Sequence, residues 1–97
     1  MKVTWDEAKN TANQKKHGVS FEEARALLAR DEGRLDIFDE AHSSTEDRFI
    51  SIGPIVRGLV LVVWTERLPS DHVRIISARW ATRRENALYQ AHVRGDL

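Results

Sequence analysis

The chain has no cysteine, only two prolines, a single tyrosine and no net charge, its 15 Lys and Arg cancelling 15 Asp and Glu. The missing cysteine excludes a disulfide scaffold, a thiolate zinc centre and a cysteine nucleophile, and it suits a reducing compartment. No segment approaches the roughly 18 consecutive apolar residues of a membrane span. The start, Met1 to Asp6, turns acidic without an apolar signal region, so the expected location is the cytoplasm and no membrane is expected. The five glycines are isolated rather than gathered into a phosphate-cradling loop, and no nucleophile-elbow sequence occurs. With 97 residues, 41% of them hydrophobic, the expectation is one domain spanning 1–97. A chain this short hides only about 60–65% of its unfolded surface, so any site must lie on the surface of that one core.

What is present is charge, unevenly placed. Asp31, Glu32, Asp36, Asp39, Glu40, Glu46 and Asp47 are opposed over their stretch only by Arg34. Further on, Arg67, Arg74, Arg79, Arg83, Arg84 and Arg94 are opposed only by Asp71 and Glu85. Lysine is absent from the C-terminal half, and arginine is the residue that grips phosphate bidentately. A solvated charged surface is the plain alternative.

Local signals order the chain as α+β. Val3 to Trp5 reads as a short extended lead, and Asp6 as the N-cap of a polar helix ending near Gly18. Ser20 and Glu23 form a capping box, with Val19 and Ala24 as a staple and Phe21, Ala24, Leu27 and Leu28 on one stripe. Leu35 to Asp39, Arg48 to Ile52, Leu59 to Trp64 and Val73 to Ala78 read as strands. Gly53-Pro54 and Arg57-Gly58 bound a turn. Thr82 and Glu85 open a last helix with Ala87, Leu88 and Ala91 on its inner stripe and Gly95 as its stop. The sum is two N-terminal helices, an antiparallel sheet of about four strands and a C-terminal helix.

Four histidines, His17, His42, His72 and His92, are scattered without metal-ligand spacing, so neither metal nor cofactor is expected. The remaining cations and proton carriers include Lys16, His17, Glu46, Arg48, Arg67, Arg79 and Tyr89. RNA suits that inventory because it brings its own nucleophile, the 2′-hydroxyl. An enzyme then needs only a base, an acid and cations for the phosphorane charge. Each residue also has an ordinary role: solvated helix end, cap or strand-edge ion pair. In a tight hairpin at Pro69-Ser70-Asp71, Arg67 and Arg79 would lie roughly 20 Å apart and could not share a phosphate. Either Arg67 works with Glu46 and the Ser43-Ser44 loop, or the pairing is more offset.

Several motifs carry a family resemblance: Trp5-Asp6, Asn13, Lys16-His17-Gly18-Val19-Ser20-Phe21-Glu22-Glu23-Ala24, His42-Ser43, Glu46-Asp47-Arg48, Thr65-Glu66-Arg67 and Arg74-Ile75-Ile76-Ser77-Ala78-Arg79. In order and spacing they resemble the BrnT family of type II toxins over nearly the whole chain. The resemblance implies a RelE-like fold and an endoribonuclease that inhibits translation by metal-independent cleavage. It also implies a BrnA-like ribbon-helix-helix antitoxin, a 2:2 heterotetramer, and operator DNA bound through the antitoxin. Arg67 and Arg79 are the catalytic cations it suggests, with His17 or Glu46 as proton carrier and Lys16, Arg48, Arg74 and Tyr89 meeting RNA. Tyr89 resembles the C-terminal tyrosine of some RelE-like enzymes, although it falls inside a predicted helix. The alternative is an inactive homologue that serves as an antitoxin-binding co-repressor subunit.

Overall fold

The computed structural model describes residues 1–42, 46–67 and 71–95, without the side chains of His42 and Arg67. Three helices start where the sequence supplies acceptors for orphan backbone N–H groups. Asp6 Oδ1 accepts from the amides of Ala8 (2.8 Å) and Lys9 (3.3 Å) to open α1 (Glu7–His17), which Gly18 ends at φ 73°. Reciprocal capping boxes open α2 (Phe21–Leu28) through Ser20 and Glu23, and α3 (Arg83–Arg94) through Thr82 and Glu85.

Five strands complete the fold: β1 (Lys2–Thr4), β2 (Leu35–Phe38), β3 (Arg48–Ile55), β4 (Gly58–Arg67) and β5 (His72–Trp80). They form one sheet in the order β1-β5-β4-β3-β2, antiparallel except that β1 lies parallel to β5. The expected α+β order of two N-terminal helices, a sheet and a C-terminal helix is found, and the sheet differs in detail, with five strands rather than about four and one parallel pair. The lead-in at Val3 finds open edge groups beside Val73 and becomes a strand.

Strand alternation divides the core into two layers. Val60, Val62, Trp64, Val73, Ile75 and Ala78 face α1 and α2, where they meet Val19, Phe21, Ala24, Leu27 and Leu28. Leu35, Ile52 and Leu61 face the other way and meet Tyr89 of α3. The expected turn at Gly53-Pro54 is instead continuous β3, and the chain reverses at Val56-Arg57. Gly53 serves a close approach, since a Cβ there would stand 2.5 Å from Leu27 Cδ1 of α2. Pro54 is tolerated because β2 stops pairing at Ile52, so no neighbour on that side needs its missing N–H.

The inner stripe of α3 also differs from expectation. Ala87 and Leu88 are exposed, and Tyr89 and Glu85 turn inward. Two polar ties decide this rotation: Arg79 to Glu85, and the Tyr89 hydroxyl, which donates to the Gly33 carbonyl at 2.7 Å.

Candidate functional site

A β-bulge determines which arginines share a face. Arg74 and Arg79 are five residues apart and would point to opposite faces of a regular strand. The register steps from Val63↔Ser77 to Trp64↔Ile75, which leaves Ile76 as the extra residue on β5. Side chains before and after it therefore change parity. Val73 and Ile75 join Ala78 in the α1–α2 layer, and His72, Arg74 and Arg79 all take the opposite face.

On that opposite face the registers Arg48↔Thr65 and Thr65↔Arg74 set three side chains in a row across β3, β4 and β5. Thr4 continues the row onto β1. Thr65 is buried, and its Oγ1 has no hydrogen-bond partner among the described residues. Arg74 is half-buried and makes no hydrogen bond or ion pair with a described residue. Helix α3 packs elsewhere on this face, around Leu61, four residues further along β4 and therefore roughly 13 Å away. Lys2 and His72 lie one alternation further out, with His72 opposite Arg67 in the ladder. Glu46 lies two residues before the start of β3 at the same end. The row thus brings cations, a buried hydroxyl and ionisable groups together at one end of the sheet, away from α3.

The site residues named from the sequence fall at two ends of the sheet. Arg48, Arg74, Glu46 and the backbone of Arg67 are at the row. The Arg67 side chain and the Ser43-Ser44 loop lie outside the described residues. Arg79 pairs with Leu61, six residues from Arg67 along β4 and so roughly 20 Å from it. The plain hairpin is therefore the geometry adopted, and the two arginines do not share a cleft. Lys16 and His17 end α1 beside Gly18, whose carbonyl accepts from Arg57 at 2.6 Å near Trp80, at the Arg79 end of β5. They do not join the row.

Two of the other candidates, Arg79 and Tyr89, are occupied by the fold. Arg79 grips Glu85 with two parallel bonds of 2.7 Å and also donates to the Trp80 carbonyl at 3.2 Å. Those guanidinium bonds hold the Glu85 carboxyl down to about 2 from an ordinary 4.5, against the opposing effect of burial, and reinforce the positive charge of Arg79. Arg57 treats Glu23 of the other capping box in the same way, at 2.7 and 2.9 Å, and lowers that carboxyl to about 2. Tyr89 is buried and spends its hydroxyl on Gly33, which withholds it from solvent chemistry.

The diagnostic motifs are accordingly mostly architectural. Lys16 to Ala24 contains a left-handed cap, a buried valine and a capping box. In Arg74 to Arg79, Ile76 makes the bulge, Ala78 binds Asn13 and Arg79 braces α3, while the half-buried Arg74 has no such structural tie among the described residues. Sequence reasoning does not single out Thr65, which reads as another β-branched strand residue; its parity with Arg67 is the one signal. Among the described residues, no group of three or more His, Cys, Asp or Glu side chains could hold a metal ion. Among the described residues, no helix is long and apolar enough to cross a membrane.

A search of curated proteins finds no match. A family model described as "Ribonuclease toxin, BrnT, of type II toxin-antitoxin system" matches residues 5–85, a span that includes Arg48, Thr65 and Arg74 and both capping boxes. The chain therefore belongs to the BrnT family of type II toxin–antitoxin ribonuclease toxins.

Proposed function

We propose that the chain is a metal-independent endoribonuclease that cuts RNA at the Arg48–Thr65–Arg74 row. The observation that carries this reading is the row itself: Arg74, whose side chain makes no bond to a described residue, beside the buried Thr65 hydroxyl, which has no hydrogen-bond partner among the described residues. In the reaction, the 2′-oxygen attacks phosphorus and the 5′-oxygen leaves. The protein then has to stabilise the added phosphorane charge and carry one proton. Arg74 supplies that charge stabilisation, Arg48 borders the same phosphate path, Arg67 follows Thr65 on the same strand by two residues, and Glu46 is the carboxylate at that end. Arg79 braces α3 and does not touch RNA.

The cellular consequence is arrested translation in the cytoplasm, where RNA is available. A BrnA-like ribbon-helix-helix antitoxin, in a 2:2 complex that also binds operator DNA, neutralises the toxin by covering the row with acidic and apolar side chains. The test compares purified variants on a labelled RNA in chelator, together with growth on expression without antitoxin. Arg74→Ala should cut about a hundredfold more slowly, whereas Arg79→Ala should cut within about threefold of the parent once corrected for folded fraction. Wild-type rates in both Arg74→Ala and Arg67→Ala would move the site elsewhere. Normal growth on expression of the parent would favour the inactive co-repressor.

A further inference from the structure

We infer that His72 is the proton carrier of this site, held in position by Thr4; the inference rests on the ribonuclease reading above. His72 opens β5 directly after Asp71, which adopts a left-handed φ of 75°, a conformation that aspartate tolerates better than most residues. It lies two residues before Arg74 on the same strand and face. The ring is half-buried, and its Nε2 lies 2.7 Å from Thr4 Oγ1 on the neighbouring β1. Its Nδ1 makes no hydrogen bond with a described residue. In the proposed arrangement Nε2–H donates to the Thr4 hydroxyl, which leaves the lone pair on Nδ1 that a general base requires. The other histidine candidate, His17, sits at the far end of β5 from the row, and Tyr89 is committed to Gly33.

The proton balance is simple. Neutral His72 takes the proton of the 2′-hydroxyl as the 2′-oxygen–phosphorus bond forms. The phosphorus–5′-oxygen bond breaks, and the leaving oxygen takes a proton from solvent. The products are a 2′,3′-cyclic phosphate and a 5′-hydroxyl, after which solvent removes the proton from His72. The charged residues beside it are Lys2, its partner on β1, and Asp71 and Arg74 on its own strand, and the Arg67 backbone pairs with it on β4. The Asp71 carboxylate is engaged by the Met1 amino group at 3.2 Å.

The test measures single-turnover cleavage of a labelled RNA against pH for the full chain, His72→Gln, Thr4→Val and Thr4→Ser. Binding is measured in parallel on a 2′-O-methyl RNA that cannot be cut. His72→Gln should lose at least a hundredfold in rate and lose the near-neutral limb of the pH profile, with binding unchanged within about threefold. Thr4→Val should slow cleavage about tenfold and shift that limb, and Thr4→Ser should restore both. A purely structural β1–β5 clip would lower stability while leaving the limb in place. If His72→Gln fails to fold, an unshifted limb in Thr4→Val overturns the inference. Cleavage by His72→Gln at the parent rate and pH profile overturns it alone, whereas an RNA-inert parent overturns the ribonuclease reading with it.

Discussion

Asn13 shows how much of this fold hangs on single polar side chains. It is buried on α1, donates to the carbonyls of Val19 (2.9 Å) and Ala78 (2.7 Å), and accepts from the Ala78 amide at 3.2 Å. Beyond Arg74 the outer edge of β5 has no strand beside it, because β1 pairs only through that residue. The Asn13 amide replaces the missing strand at Ala78. Asn13→Ala strands three buried backbone groups, so its unfolding free energy should fall by about 2–4 kcal/mol in urea denaturation. A loss below about 0.5 kcal/mol would mean that water takes over these bonds. The sequence places Asn13 on a helix but cannot reveal its partner, which is 65 residues away. Tyr89 carries a similar lesson. Tyr89→Phe should cost about 1 kcal/mol and leave the RNA cleavage rate intact, whereas a catalytic acid would lose most of its rate.

At the level of elements, the starts of α2 and α3 were legible because a capping box needs only residues three apart. The arginines that seize the same carboxylates were not, because Arg57 and Arg79 reach across from the sheet. Two consequences follow for acid stability. Both glutamates have folded-state pKa values of about 2 against an ordinary 4.5, so they stabilise the fold above pH 4.5 and lose that effect as pH falls towards 2. Unfolding free energy should therefore decline across that window, and Glu85→Gln should flatten part of the decline. Since Arg79 is about one-third exposed, solvent screening reduces the value of its pair, and Glu85→Gln should cost about 1–2 kcal/mol at neutral pH. A pH profile unchanged by Glu85→Gln would show that the pair does not brace α3. The bulge at Ile76 was equally hidden. Nothing in Arg-Ile-Ile-Ser-Ala-Arg marks the extra residue, yet it is what turns Arg74 away from the core.

For the molecule as a whole, the linear charge gradient is not a spatial one. The arginine-bearing half folds back on itself at the β4–β5 hairpin, so Arg74 goes to one end of the sheet, while Arg79, Arg83 and Arg84 gather at the other around the start of α3. Counting charge along the chain therefore overstates the phosphate-binding surface. Only cations at the row, among them Lys2, Arg48 and Arg74, should release counterions when RNA binds there. For about three neutralised phosphates on a single strand, the affinity should fall by about two powers of ten for each tenfold rise in salt. Binding of a 2′-O-methyl RNA, titrated between 50 and 200 mM salt on the order of what cells contain, should then weaken about fifteenfold. Arg74→Ala should reduce the slope by about 0.7, while Arg83→Ala, at the opposite end, should leave it unchanged. A slope altered equally by both substitutions would mean that RNA spreads over the whole basic half, as the sequence alone suggests, and that the row is not its path.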